Sequence, residues 1–205
     1  MKKSLIFLLL GICFTQVKGG PVLGIKGGVV AAIQDFQYAE PETNWDTGIS
    51  AGLTLGMELE WPTRYIPIVT EIYFSQKGVR EKTELISANG TIVDSQTYRH
   101  QINYLSFALL IKWTVPAGRV NFYLKAGPRL DLTMGYKTRI LDQIYENFRD
   151  FQPGLDIGLG IEFTVLSDTV LFSELRYNHD LTNAYQTEYI TIKNRSMSLS
   201  VGVKL

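Results

Sequence analysis

One cysteine and two histidines in 205 residues leave no material for a disulfide framework and very little for a zinc site. There is no surplus of charge: 20 basic residues meet 20 acidic ones, so no basic field points to nucleic acid. Proline is scarce at 7, which excludes disordered and collagen-like compositions. Past the N-terminus no apolar run approaches the ~20 residues of a membrane helix. What the chain does have is Tyr (11), Phe (10) and Gly (18). A mean hydropathy of +0.03 suits a soluble protein and a half-polar membrane barrel equally well.

The N-terminus implies export. Residues 1–19 read MKKSLIFLLLGICFTQVKG, with Lys2 and Lys3 ahead of an apolar stretch over 5–14. That stretch is too short to span a bilayer and fits a signal peptide, with cleavage expected before Gly20. Ile12 stands where a lipidated cysteine needs a small neighbour, so Cys13 is not expected to carry a lipid anchor. Losing Lys2, Lys3 and Lys18 leaves a cysteine-free domain over 20–205, with 17 basic and 20 acidic residues and a net charge of about −3.

Beyond residue 20 the dominant pattern is alternation with period two. Ile49, Ala51, Leu53, Leu55, Met57, Leu59 and Trp61 share one face; Ser50, Gly52, Thr54, Gly56, Glu58 and Glu60 share the other. The same alternation runs through 120–136, 154–163 and 196–205, and more weakly through 23–31, 66–76, 105–113 and 171–177. These eight segments, most of them about 9–13 residues, have the length of tilted membrane strands. Short connections (62–67, 115–119, 166–169) alternate with long ones (33–47, 78–101, 137–152, 181–193). The expected fold is all-β: an eight-stranded antiparallel up-and-down transmembrane barrel with short periplasmic turns and long outer loops. Asn89-Gly90 is expected to be a hairpin tip extending strands three and four beyond the membrane.

Alternation alone does not say which face is inside, because a soluble ligand-binding barrel would put the apolar face inward. Three features favour the apolar face outward. It carries no charge on any of the eight segments. Its aromatics gather at strand ends, with Trp61, Trp113 and Phe163 near the turns and Phe74, Tyr136 and Tyr177 near the loops, as membrane-interface girdles require. The polar face is rich in Gly, Ser and Thr, as a narrow interior demands.

With this parity the lumen is expected to hold seven acids, Glu58, Glu60, Glu71, Asp131, Asp156, Glu162 and Glu174. Seven bases face them: Lys26, Lys77, Lys112, Lys125, Arg129, Arg176 and Lys204. Eight strands leave an interior that side chains can just fill, so the balanced set reads as a cross-linked ion-pair network. A plug that stiffens the barrel is the leading interpretation, with a narrow ion or solute path second. Catalysis is disfavoured: there is no G-x-S-x-G elbow or H-x-x-x-H spacing, and His179 and Asp180 fall on opposite faces of one strand. Glu58 and Glu60 have a spacing that glycosidases could use, but basic neighbours make them structural partners.

Five segments then resemble a known family: GIKGG (24–28), YLSFALLIKW (104–113), FYLKAGPRLDL (122–132), LFSELRYNHDLTN (171–183) and KNRSMSLSVGVKL (193–205). They resemble the porin family of small outer-membrane β-barrel domains, related in architecture to OmpA- and OmpX-type barrels. The resemblance implies a Gram-negative-type outer membrane, contact with its lipid and with the insertion machinery, and a monomer. It brings no catalytic residue, metal or cofactor. Barrels of this kind commonly end in an aromatic residue, whereas this chain ends in Leu205. The implied role is non-enzymatic, structural or adhesive, through outer loops whose ligand is unknown. Trp45 and residues 145–151 are candidate contacts there. A narrow channel is the alternative and a lipid-modifying enzyme a distant third.

Overall fold

The computed structural model describes residues 20–38, 47–63, 65–86, 92–137, 149–166, 169–186 and 190–205. The expected signal peptide, the Asn89-Gly90 tip, Trp45 and residues 145–148 lie outside them. Eight strands form the wall: β1 Val22–Tyr38, β2 Thr47–Trp61, β3 Ile68–Ile86, β4 Ile92–Ala117, β5 Val120–Lys137, β6 Phe151–Leu166, β7 Thr169–Asp180 and β8 Ile190–Lys204. Each pairs antiparallel with the next, and β8 returns to β1 from Gly24↔Lys204 to Tyr38↔Ile190. The barrel is therefore closed, with no free edge. A two-residue strand, Tyr185–Gln186, adds to β8 at the loop end.

Strands β3 and β4 run well beyond their alternating stretches and stay paired up to Ile86↔Ile92. Residues 78–86 and 92–101 of the long connection are strand, an extension of the hairpin beyond its apolar rows. At the opposite end β4 reaches β5 through Gly118 and Arg119, flanked by the pair Ala117↔Val120. Gly118 has φ +69°, which a two-residue turn with glycine first requires.

The apolar row faces outward. Leu55 is 63% exposed, Trp113 69% and Val201 65%, part of an exposed apolar surface of the kind that marks a membrane or partner contact. On β4 that row runs from Leu105 to Val115, which at a typical barrel tilt is roughly 25 Å of height, the thickness of a membrane band. No helix among the described residues is long and apolar enough to cross a membrane, so any crossing falls to the strands.

Two inward rings fill gaps left by glycine. A Cβ at Gly160 would overlap the Tyr123 ring, and one at Gly202 the Phe172 ring. Side-chain volume is thus shared across the narrow lumen between large and absent residues.

Candidate functional site: the charged lumen

Thirteen of the fourteen charged residues assigned to the lumen are buried, and Glu60 is partly so. They stack in layers, each built from alternate strands. Nearest the short turns, Glu60 (β2), Lys112 (β4), Glu162 (β6) and Lys204 (β8) alternate in sign around the wall. Lys112 Nζ lies 2.8 Å from Glu60 Oε2 and 2.6 Å from Glu162 Oε1. Lys204 Nζ meets the same two oxygens at 2.5 and 2.6 Å, and Glu58 Oε1 at 3.1 Å.

The next layer uses the odd strands: Lys26 (β1), Glu71 (β3), Lys125 (β5) and Glu174 (β7), again alternating. Glu58, Glu71 and Glu174 each bring a carboxylate oxygen to within 4.8 Å of the others, a spacing that could hold a metal ion. Two ammonium groups already occupy that role. Lys26 Nζ stands 3.6, 2.8 and 3.5 Å from the three carboxylates, and Lys125 Nζ 2.8, 3.3 and 3.1 Å. Arg176 adds contacts of 2.6 Å to Glu71 and 2.5 Å to Glu174. A divalent cation would have to displace a lysine, so the cluster fits charge pairing better than metal binding.

Above it, Asp156 accepts hydrogen bonds from the Tyr73 hydroxyl (2.9 Å) and Asn178 Nδ2 (2.7 Å), and it lies 2.8 Å from Arg129 Nε. Asp131 accepts from Ser106 Oγ at 2.6 Å, from Lys77 Nζ at 2.7 Å and from Arg129. One acid was missing from the sequence assignment. Asp180 is 2% exposed, faces inward and lies 2.6 Å from Arg129 Nη2. Among the described residues the interior therefore holds eight acids against seven Lys and Arg, which corrects the seven-to-seven balance. The parity of β7 could have found it, because Phe172, Glu174, Arg176 and Asn178 already mark its even positions as inward.

Closer to the loops the lumen turns neutral, with no sequence signal to announce it. Gln34, Asn194, Gln152 and Tyr104 form one hydrogen-bonded cluster, with Asn194 Nδ2 donating to Gln152 Oε1 at 3.1 Å and Gln152 Nε2 to the Tyr104 hydroxyl at 3.2 Å. Over it sits an apolar cap of Ile102, Ile192 and Ala184, with Tyr136 and Tyr185 packed against it. The segment after β7 supplies Ala184, whose N–H donates to the Ile192 carbonyl at 2.8 Å.

Tyr136 therefore does not belong to the outer girdle. Between Tyr104↔Thr133 and Asn103↔Gly135 the β4–β5 register slips by one residue at Met134, which reverses the parity. Tyr136 then pairs with buried Ile102 and turns inward. The other interface aromatics lie on the outer face: Trp113 at 69% exposure, Phe163 at 45%, Tyr177 at 38%, and Phe74 partly buried. Trp61 donates its indole N–H to Thr70 Oγ1 at 3.1 Å. His179 also faces out, 3.4 Å from the Tyr177 hydroxyl, whereas its neighbour Asp180 points into the lumen.

Residues 18–186 match the family model described as outer membrane protein beta-barrel domain. No curated protein matches the chain significantly. Among solved structures, the chain resembles Neisserial surface protein A (NspA) at 15% identity and a TM-score of 0.51, covering 89% of this chain and 96% of that one. It resembles OprG from Pseudomonas aeruginosa at 11% identity and a TM-score of 0.57, covering 93% and 98%. At such identities these likenesses speak for the fold. The family match spans most of the chain, and this protein belongs to the outer membrane protein beta-barrel domain family.

Proposed function

We propose that this chain is a sealed, non-enzymatic outer-membrane barrel whose role, structural or adhesive, is exercised at its loop-side surface. The observation that carries this reading is the filled lumen. Among the described residues, two rings of alternating charge, an aspartate layer, an amide layer and an apolar cap are stacked across the lumen, which supports a sealed barrel. In this reading residues 1–19 are removed on export, the short turns face the periplasm and the long loops face outward. The barrel is taken as a monomer inserted by the outer-membrane assembly machinery.

Planar-bilayer recording of the purified, refolded protein tests it. A flat baseline is expected, and discrete conductance steps would instead establish the narrow-channel alternative. Incubation with labelled lipopolysaccharide or phospholipid is expected to leave both unmodified, and a new lipid product would establish the enzymatic alternative. A binding screen with single loops deleted then identifies which loop carries the ligand. N-terminal sequencing of the protein from membranes is expected to begin at or near Gly20.

A further inference from the structure

Outside the lumen, two like charges stand side by side on neighbouring strands. Arg80 on β3 and Arg99 on β4 are directly paired across the strands, and both are exposed on the outer face of the barrel. Like charges in such positions repel. No carboxylate among the residues whose side chains are described pairs with either. Lys137, exposed on β5 and registered with Gln101, adds a third cation nearby. The amides next to them, Gln101 and Asn103, bond to each other at 3.1 Å.

The height of the pair is fixed by a contact. Arg99 Nη2 donates to the backbone carbonyl of Ala51, on β2. Ala51 is one outward position beyond Leu53 and one short of Ile49, with which the outward apolar row of β2 ends on the loop side. On β3 and β4 the outward apolar rows stop at Phe74 and Leu105, and the polar Gln76, Asn103 and Gln101 take over. The guanidinium therefore stands where hydrocarbon gives way to headgroups. Two arginines at that depth match the fork geometry with which guanidinium groups clasp phosphate.

We propose that Arg80 and Arg99 bind the phosphate of an outer-leaflet lipid headgroup, which relieves the repulsion between them and anchors the β3–β4 hairpin to the lipid surface. The proposal rests on the loop ends facing outward, as in the functional reading above. Its test is done in detergent, where orientation plays no part, so the two can fail separately.

The refolded full-length barrel is titrated with bis-phosphorylated lipid A, with the same lipid stripped of phosphate, and with inorganic phosphate as competitor; bound lipid is read by native mass spectrometry. Bis-phosphorylated lipid is expected to bind about tenfold tighter than the stripped form, and the Arg80→Gln/Arg99→Gln double variant to lose about that factor. Arg119→Gln, at a short turn, is expected to bind as wild type does. Heat-modifiable gel mobility reports whether each variant folds. Binding by a folded double variant within about threefold of wild type overturns the proposal, as does displacement of the lipid by an equal concentration of inorganic phosphate. If the double variant fails to fold, equal binding of phosphorylated and stripped lipid by the wild type overturns it.

Discussion

Lys125 Nζ lies 2.8 Å from Glu58 Oε2, joining β5 to β2 across the lumen, and both side chains are wholly buried. Glu58 also lies 3.1 Å from Lys204 Nζ, so it ties together two stacked rings of alternating sign, the first from even strands and the second from odd. Inward residues of neighbouring strands lie at staggered heights in a tilted barrel, so alternate strands share a layer. Each cation can then reach carboxylates on several strands, and the wall is cross-braced.

Removing one member of such a ring leaves its partners buried and unpaired. Lys125→Met strands Glu58, Glu71 and Glu174 around two fewer hydrogens than they now accept from its ammonium. The expected loss is about 3–5 kcal/mol of unfolding free energy. A urea titration of the detergent-folded protein measures it, and a midpoint equal to wild type would mean that Lys26 and Arg176 suffice alone.

The wall was legible wherever both faces obey one rule. Along β2, β6 and β8 every second residue meets lipid and every other meets the packed lumen, so the alternation is clean. It fades along 78–101 because that part of the β3–β4 hairpin extends past the apolar rows, where the outer face no longer has to be apolar. Tyr136 departs from the outer face because of a one-residue slip at Met134 that leaves no mark in the alternation. Asp180 lies beyond the alternating stretch 171–177, where β7 continues with the same parity to its last residue. The amide layer of Gln34, Gln152 and Asn194 had no signature, since uncharged polar residues are equally at home in loops.

The outward row sets the second prediction. Leu55 is 63% exposed on the mid-strand of β2, where an arginine would stand in hydrocarbon at a cost of about 2–4 kcal/mol. Leu55→Arg is expected to reduce the folded, heat-modifiable fraction in membranes. Wild-type gel mobility in membranes would contradict the outward parity.

The seam between β1 and β8 sets the third. A Cβ on Gly28 would stand 2.7 Å from Ser200 Cα and against the Leu199 carbonyl, both backbone atoms that cannot rotate away. Gly28→Ala must push the closing strand pair apart, and about 1–3 kcal/mol of stability is expected to go. Its neighbour Gly27 points outward, where a Cβ would meet Leu55 Cδ1 at 3.6 Å and the Thr54 carbonyl oxygen at 3.8 Å, both ordinary contacts. Gly27→Ala is therefore expected to be tolerated. Equal urea midpoints for the two variants would remove the distinction.

The eighth acid gives the sharpest contrast. Both oxygens of Asp131 are committed, Oδ1 to Ser106 and Oδ2 to Lys77 and Arg129. Asp180 uses Oδ1 for Arg129 at 2.6 Å, while its Oδ2 is buried without a hydrogen-bond partner. Asp131→Asn puts an amide donor among donors and is expected to cost about 3 kcal/mol. Asp180→Asn keeps the accepting oxygen for Arg129 and removes the acid in excess among the described interior residues. Its effect is expected to stay within about 1 kcal/mol, in either direction. Unfolding midpoints of the two variants, measured side by side, decide the matter. Equal losses would mean that the surplus carboxylate of Asp180 is held by the interior as firmly as the paired one.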